Sequence, residues 1–205
     1  MRLMDYVQAQ KLVNSYGIRS VGSRYVTSED DAVAFASDDA IVLKVISDKQ
    51  LHKASHGLIA LNLDSEDKIR ASYRALEKKA QQLLPYKILA QKMVRGGIEM
   101  IIGGNTDPQF GKILLVGLGG IYVETFRDFA LRLCPVGKKD AQSMLHQLRS
   151  CKMLAPDGKS EEMIVSLLEK ASKLFTENGM DELDLNPIIL HDGTYDAVDL
   201  RLLSK

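Results

Sequence analysis

Cysteine is nearly absent from this chain: Cys134 and Cys151 are the only two in 205 residues. They are far from any Cys-x-x-Cys spacing, which argues against a disulfide framework and a zinc ribbon and leaves two reduced thiols as the expectation. Net charge is missing as well, since 27 Lys and Arg balance 27 Asp and Glu. Without a positive excess nothing drives binding along a phosphate backbone or an anionic bilayer, so nucleic acid and membrane drop out as main partners. Long apolar runs are also lacking. The longest uncharged stretch, Ile113 to Val123, has eleven residues including three glycines, well short of the ~20 a spanning helix needs. The start, Met1-Arg2-Leu3-Met4-Asp5, meets an acid before any apolar stretch forms, which argues against a secretory signal. A cytoplasmic protein is expected.

What is present is ordinary for a globular chain, with 45% hydrophobic and 26% charged residues, and the length suits one large domain or two small intimate ones. Helical spacing predicts a first helix from Asp5, a second capped by Ser28, a long third capped by Asp64, one over 140–148 and one from Ser160. Strands are predicted over 40–46, 57–63, 87–94, 98–102, 113–116, 121–126 and 129–134, with a terminal pair, 181–190 and 194–202, around Asp192-Gly193. Arg95-Gly96-Gly97 reads as a hairpin turn and Gly103 to Pro108 as another. The pattern is mixed α and β, an α+β fold in two lobes, 1–85 and 86–205, divided near Pro85.

The terminal hairpin yields the most specific placement. A type I′ turn at Asp192 and Gly193 sets His191 against Thr194, and counting back sets Asn186 against Asp199 and Asp184 against Arg201, all on one face. Such a cluster of carboxylate and amide oxygens suits a hard cation such as magnesium, or else is a solvated polar face. Lys44, inside the apolar run Val42-Leu43-Lys44-Val45, either snorkels from an edge or aims a cation at nucleotide phosphates. Gly119 and Gly120 let backbone amides approach a phosphate, or serve a tight turn. The chain lacks both the Rossmann glycine spacing and the P-loop. His52 and His56 sit four apart in a polar loop without the glutamate of a zinc-protease helix, which leaves a loop histidine available for phosphoryl or proton transfer.

In order along the chain, Gly97-Ile98-Glu99-Met100-Ile101-Ile102-Gly103, Asp107-Pro108-Gln109-Phe110-Gly111, Gly117-Leu118-Gly119-Gly120-Ile121-Tyr122-Val123-Glu124, Arg132-Leu133-Cys134-Pro135, Glu182-Leu183-Asp184-Leu185-Asn186-Pro187 and Asp196-Ala197-Val198-Asp199-Leu200-Arg201 resemble the ATP-grasp domain of ADP-forming acyl-CoA synthetases. These are relatives of the succinyl-CoA synthetase β subunit, and the resemblance covers essentially the whole chain. It implies an ATP-grasp fold whose two lobes clasp ATP or ADP with magnesium. It implies that Lys44 contacts phosphates, that Gln91, Lys92, Met93 and Val94 line the adenine, and that Glu99 holds the ribose hydroxyls. Asn186 and Asp199 match the magnesium ligands. His52-Lys53-Ala54-Ser55-His56-Gly57 resembles the loop whose histidine relays a phosphoryl group, with departures at Ala54, Ser55 and Leu58.

The activity so implied is acyl-CoA + ADP + phosphate ⇌ carboxylate + CoA + ATP. The CoA-binding and catalytic-histidine domains would then belong to an α-type partner subunit in a hetero-oligomer. Two other functions fit the same residues: a stand-alone carboxylate ligase working through an acyl phosphate, and a nucleotide-binding subunit without turnover.

Overall fold

The computed structural model describes residues 2–47, 57–120 and 127–204, and the predicted strand over 121–126 lies outside them. The chain divides into two compact units, one of residues 1–20 and 95–205, the other of Val21–Val94. A single cut near Pro85 is therefore not how the chain is partitioned: the N-terminal helix joins the C-terminal part, and the strand after Pro85 joins the first.

The smaller unit is a sheet of four described strands in the order β2-β5-β3-β4, namely Ser23–Val26, Lys87–Lys92, Ile41–Ile46 and Ile59–Leu63. Two helices pack on it, α2 (Glu29–Ala36) and α3 (Glu66–Ala80). Ser28 caps α2 as expected, its hydroxyl accepting from the Asp31 amide at 3.1 Å. The cap of α3 is Ser65 rather than Asp64, because the Asp64 carboxylate is drawn instead to the Lys68 ammonium at 2.7 Å. The apolar face of the helices meets Val26, Ile41, Leu43, Val45, Ile88 and Ala90 in one core. Strand alternation then turns Val42, Lys44, Leu89 and Gln91 to the face the helices leave uncovered.

The larger unit is a sheet of seven described strands. Its path is β1 (Arg2–Leu3), β11 (Leu200–Ser204), β9 (Met180–His191), β6 (Ile98–Asp107), β7 (Gly111–Leu118) and β8 (Phe129–Leu133), with β10 (Thr194–Ala197) on β9. Helices α1 (Tyr6–Ser15), α4 (Lys138–Gln147), α5 (Cys151–Leu154) and α6 (Gly158–Glu177) belong to it. Asp5 starts α1 by accepting from the Val7 and Gln8 amides, and Asp157 starts α6 by accepting from Ser160 at 2.8 Å. The α6 stripe Ile164, Leu167, Leu168, Ala171, Leu174 and Phe175 is fully buried, as a 3.6-residue period requires.

Two sequence expectations fail here. Lys87–Lys92 and Ile98–Asp107 are not a hairpin but strands of different sheets, and Gly103 and Gly104 are not a turn but lie within β6. Gly104 is a glycine because the Phe175 ring stands 3.0 Å from where a Cβ would be, so it serves close packing rather than chain reversal. The β6–β7 hairpin itself forms, turning after Asp107, whose carboxylate accepts from the Gln109 and Phe110 amides at 2.8 Å each.

Candidate nucleotide and metal site

Register decides the geometry of the larger unit's site. Asp192 and Gly193 both have positive φ, 47° and 70°, as a type I′ turn demands, and Thr194 pairs with His191. The count derived from that turn holds: Arg201 pairs with Asp184 and Leu200 with Leu185, and the Asn186 amide donates to the Asp199 carbonyl at 3.1 Å. Along β9, Leu183 and Leu185 are buried, then Ile188 and Leu190, so the buried parity switches between Asn186 and Pro187. The β6–β9 register slips by one residue at the same place. Pro187 has no N–H to give the ladder, which is where a bulge is tolerated.

The face opposite α6 consequently collects Asp184, Asn186, Asp199 and Arg201, and pairing with β6 adds Gly103 beside Asp184. Glu99 lies on the same face, opposite Ile189, four residues or ~13 Å along β6 from Gly103. Burial pushes the Asp184 carboxyl above its ordinary pKa, and the nearby Asp199 charge adds to the push while Arg201 opposes it. Two acids crowding each other beside an exposed amide form an oxygen-only donor set that a divalent cation would relieve, so these residues fit magnesium. Among the described residues no group of three or more His, Cys, Asp and Glu forms a metal centre; two acids and an amide fall short of that number. Arg201 was not among the sequence candidates, although the hairpin count that placed Asp184 also places Arg201 beside it.

The Gly119 amide is already engaged, donating to the Glu99 carbonyl at 2.7 Å, and it is therefore not a free phosphate donor. In the smaller unit, Lys44 is 5% exposed and Gln91 0%; both lie on the face away from α2 and α3, with Gln91 paired to Val42. Lys92 presents its backbone only. Its ammonium turns the other way, to the Ala36 carbonyl and the Asp39 carboxylate, each at 2.9 Å. The amides of Lys92 and Met93 donate to Gly22 and Ala40, so of the expected adenine-reading segment the Val94 amide is the one with no backbone partner among the described residues. His52, the expected relay, lies outside the described residues, as does His56.

A further cluster was not anticipated. Asp196, 6% exposed, accepts from Arg19 Nε at 2.8 Å and meets His191 Nε2 at 2.9 Å, tying the segment after α1 to the hairpin. Both cysteines are free, as expected. No helix among the described residues is long and apolar enough to cross a membrane.

A family model described as ATP-grasp domain matches residues 1–203. The chain belongs to the ATP-grasp family. Within it, the chain is 30% identical to the acetate–CoA ligase [ADP-forming] II subunit beta of Pyrococcus furiosus, over 99% of this chain and 92% of that one. A solved structure of a dinucleotide-forming acetyl-coenzyme A synthetase 1 from Ca. Korarchaeum cryptofilum, in complex with coenzyme A, Ca-AMPCP and HgCl+, superposes with a TM-score of 0.89 at 33% identity, covering 100% of this chain and 94% of that one. Its selenomethionine derivative, with coenzyme A and Mg-AMPPCP, superposes with a TM-score of 0.84 at 32% identity over 99% and 93% of the two chains. The mixed α and β architecture expected from the sequence is thus the ATP-grasp fold.

Proposed function

We propose that this chain is the nucleotide-binding subunit of an ADP-forming acyl-CoA synthetase, which interconverts acyl-CoA, ADP and phosphate with carboxylate, CoA and ATP. The observation that carries the proposal is a match along nearly the full length of a relative named as a β subunit; the shared face of Asp184, Asn186 and Asp199 is compatible with it. Phosphoryl transfer asks a protein for positioning and charge neutralisation rather than for covalent chemistry of its own. The described residues are suited to both tasks.

Glu99 is the acceptor for the ribose hydroxyls. The Asn186–Asp199 pair lies abreast of Ile101 on β6, ~7 Å along the strand from Glu99, a span suited to a diphosphate or triphosphate tail. Asp184, Asn186 and Asp199 would hold magnesium, which when bound supplies positive charge to the phosphate oxygens. Lys44 provides a point charge for phosphates, and Gln91 with the backbone of Lys92 to Val94 provides the adenine edge. His52 is assigned the phosphoryl relay toward ADP. The partner is an α-type, CoA-binding subunit that carries the catalytic histidine, in a cytoplasmic hetero-oligomer.

The test is reconstitution of the chain with that partner and measurement of ATP formed from ADP, phosphate and a panel of acyl-CoA thioesters. ATP that appears only with thioester, and phosphate carried by His52 in mass spectra taken under alkaline conditions, are expected. Hydroxamate formation by this chain alone with ATP, a carboxylate and hydroxylamine would replace the proposal with a stand-alone ligase. Nucleotide binding without turnover in the reconstituted complex would replace it with a regulatory subunit.

A further inference from the structure

The Glu99 carboxylate has no side-chain hydrogen bond or ion pair among the described residues, yet it has a defined seat. Continuing the β6–β7 register past Met100 and Leu118 brings Glu99 opposite Gly119, and the Gly119 amide closes that pair at 2.7 Å. A Cβ on Gly119 would stand 2.9 Å from the Glu99 carbonyl carbon and 3.0 Å from its Cβ and oxygen. Those are backbone atoms and the base of a side chain, which cannot swing aside. Gly120 has φ +70°, and a Cβ there would stand 3.0 Å from Glu99 Oε2 and 3.5 Å from its Cδ. The carboxylate therefore lies against the space that any side chain at residue 120 would take.

We infer that Gly119 and Gly120 are positioning residues for Glu99, and that their part in nucleotide binding is recognition of the ribose hydroxyls rather than a phosphate cradle. This rests on the reading of Glu99 as the ribose acceptor. An ionised carboxylate is acceptor-only and has room for both hydroxyls of a vicinal diol. It discriminates a diol from its deoxy analogue only if it is held in place, because a freely rotating glutamate gives back in side-chain entropy what the hydrogen bonds contribute. A glycine surface on one side, with exposure to solvent on the other, holds the carboxylate without consuming its lone pairs. The Gly119 amide, committed to the Glu99 carbonyl, fixes the backbone below.

The experiment is calorimetry of the full chain with ATP, 2′,3′-dideoxy-ATP and inorganic tripolyphosphate, for the wild type, G120A, G120N and E99Q. Asparagine tolerates the left-handed backbone that alanine resists, so G120N adds the Cβ with the fold kept, and thermal melting verifies that. Wild type should bind ATP about ten- to a hundredfold more tightly than the dideoxy analogue, the range for hydrogen bonds to a charged group. In both Gly120 variants that ratio should fall toward one, with dideoxy-ATP and tripolyphosphate affinities unchanged. A ratio kept in G120N but lost in E99Q would overturn the positioning role while leaving Glu99 as the ribose acceptor. Equal weakening of all three ligands in G120N would overturn it in favour of a phosphate cradle. A ratio kept in E99Q would overturn the assignment of Glu99 and this inference with it.

Discussion

Asn186, in β9, and Asp199, just before β11, face each other, with the Asn186 backbone amide donating to the Asp199 carbonyl at 3.1 Å. Their pairing follows from the two-residue turn at Asp192 and Gly193, six residues from each, and it brings together the oxygens proposed above to hold the cation. A one-residue slip would turn both side chains to the α6 face. The site is thus an indirect consequence of turn chemistry.

Lys44→Ala should lower ATP affinity about ten- to a hundredfold, the loss of one charge-assisted hydrogen bond to phosphate. The fold should persist, because Lys44 projects from the face of β3 opposite the helical core, whose packing is left intact. Calorimetry with ATP, alongside circular dichroism, checks both halves. Unchanged affinity would make Lys44 a snorkelling strand residue.

Lys112→Met should destabilise the larger unit by about 1.5–3 kcal/mol, the value of hydrogen bonds to a charged donor, with the Kd for ATP unchanged. The Lys112 ammonium donates to the Phe175 and Met180 carbonyls at 2.6 and 2.7 Å and lies 4.1 Å from the Phe175 ring centroid, tying the end of α6 to β7. Burial lowers its pKa, so the donor is costly to bury and its acceptors are left unpaired when it goes. Chemical denaturation measures the change.

Asp128 should give the larger unit an acid-labile contribution to stability. Burial raises its pKa, but hydrogen bonds from the residue 149–150 segment and the Arg149 charge outweigh that and leave it lowered; the Arg149 and Ser150 amides donate at 2.9 and 2.8 Å. A carboxylate with a depressed folded pKa contributes fully above its unfolded value of about 3.9 and loses that contribution as pH falls through the folded pKa. Melting temperature below about pH 4 should therefore fall more steeply for wild type than for Asp128→Asn. Parallel slopes would show that Asp128 does not carry this contribution.

The hairpin register was legible because its determinants are local. The Asp192-Gly193 turn fixes register by itself, and Ser28 caps its helix wherever that helix packs. The partition of the chain was not legible, since Arg95-Gly96-Gly97 between two apolar runs has the composition of a hairpin turn. What separates the runs is the choice of partners, β3 and β2 for one and β9 and β7 for the other, which is a matter of long-range packing. Gly104 misled for a similar reason: turn glycine and packing glycine look alike until Phe175 is placed. Arg201 needed only the same count that placed Asp184. The seat for Glu99 required the close approach of Gly119, which no spacing reports.

The most direct test of the nucleotide site is a double-mutant cycle on Asn186→Ala and Asp199→Ala, reading magnesium-dependent ATP affinity of the full chain by calorimetry. If the two share one cation across the strands, either substitution misplaces it, and the double mutant should bind ATP in magnesium little worse than the worse single. Asp199→Ala should be the more damaging single change, since it removes a formal charge facing a divalent ion. Losses that add, or single mutants that keep the wild-type response to magnesium, would contradict the assignment of this face to the metal and its nucleotide.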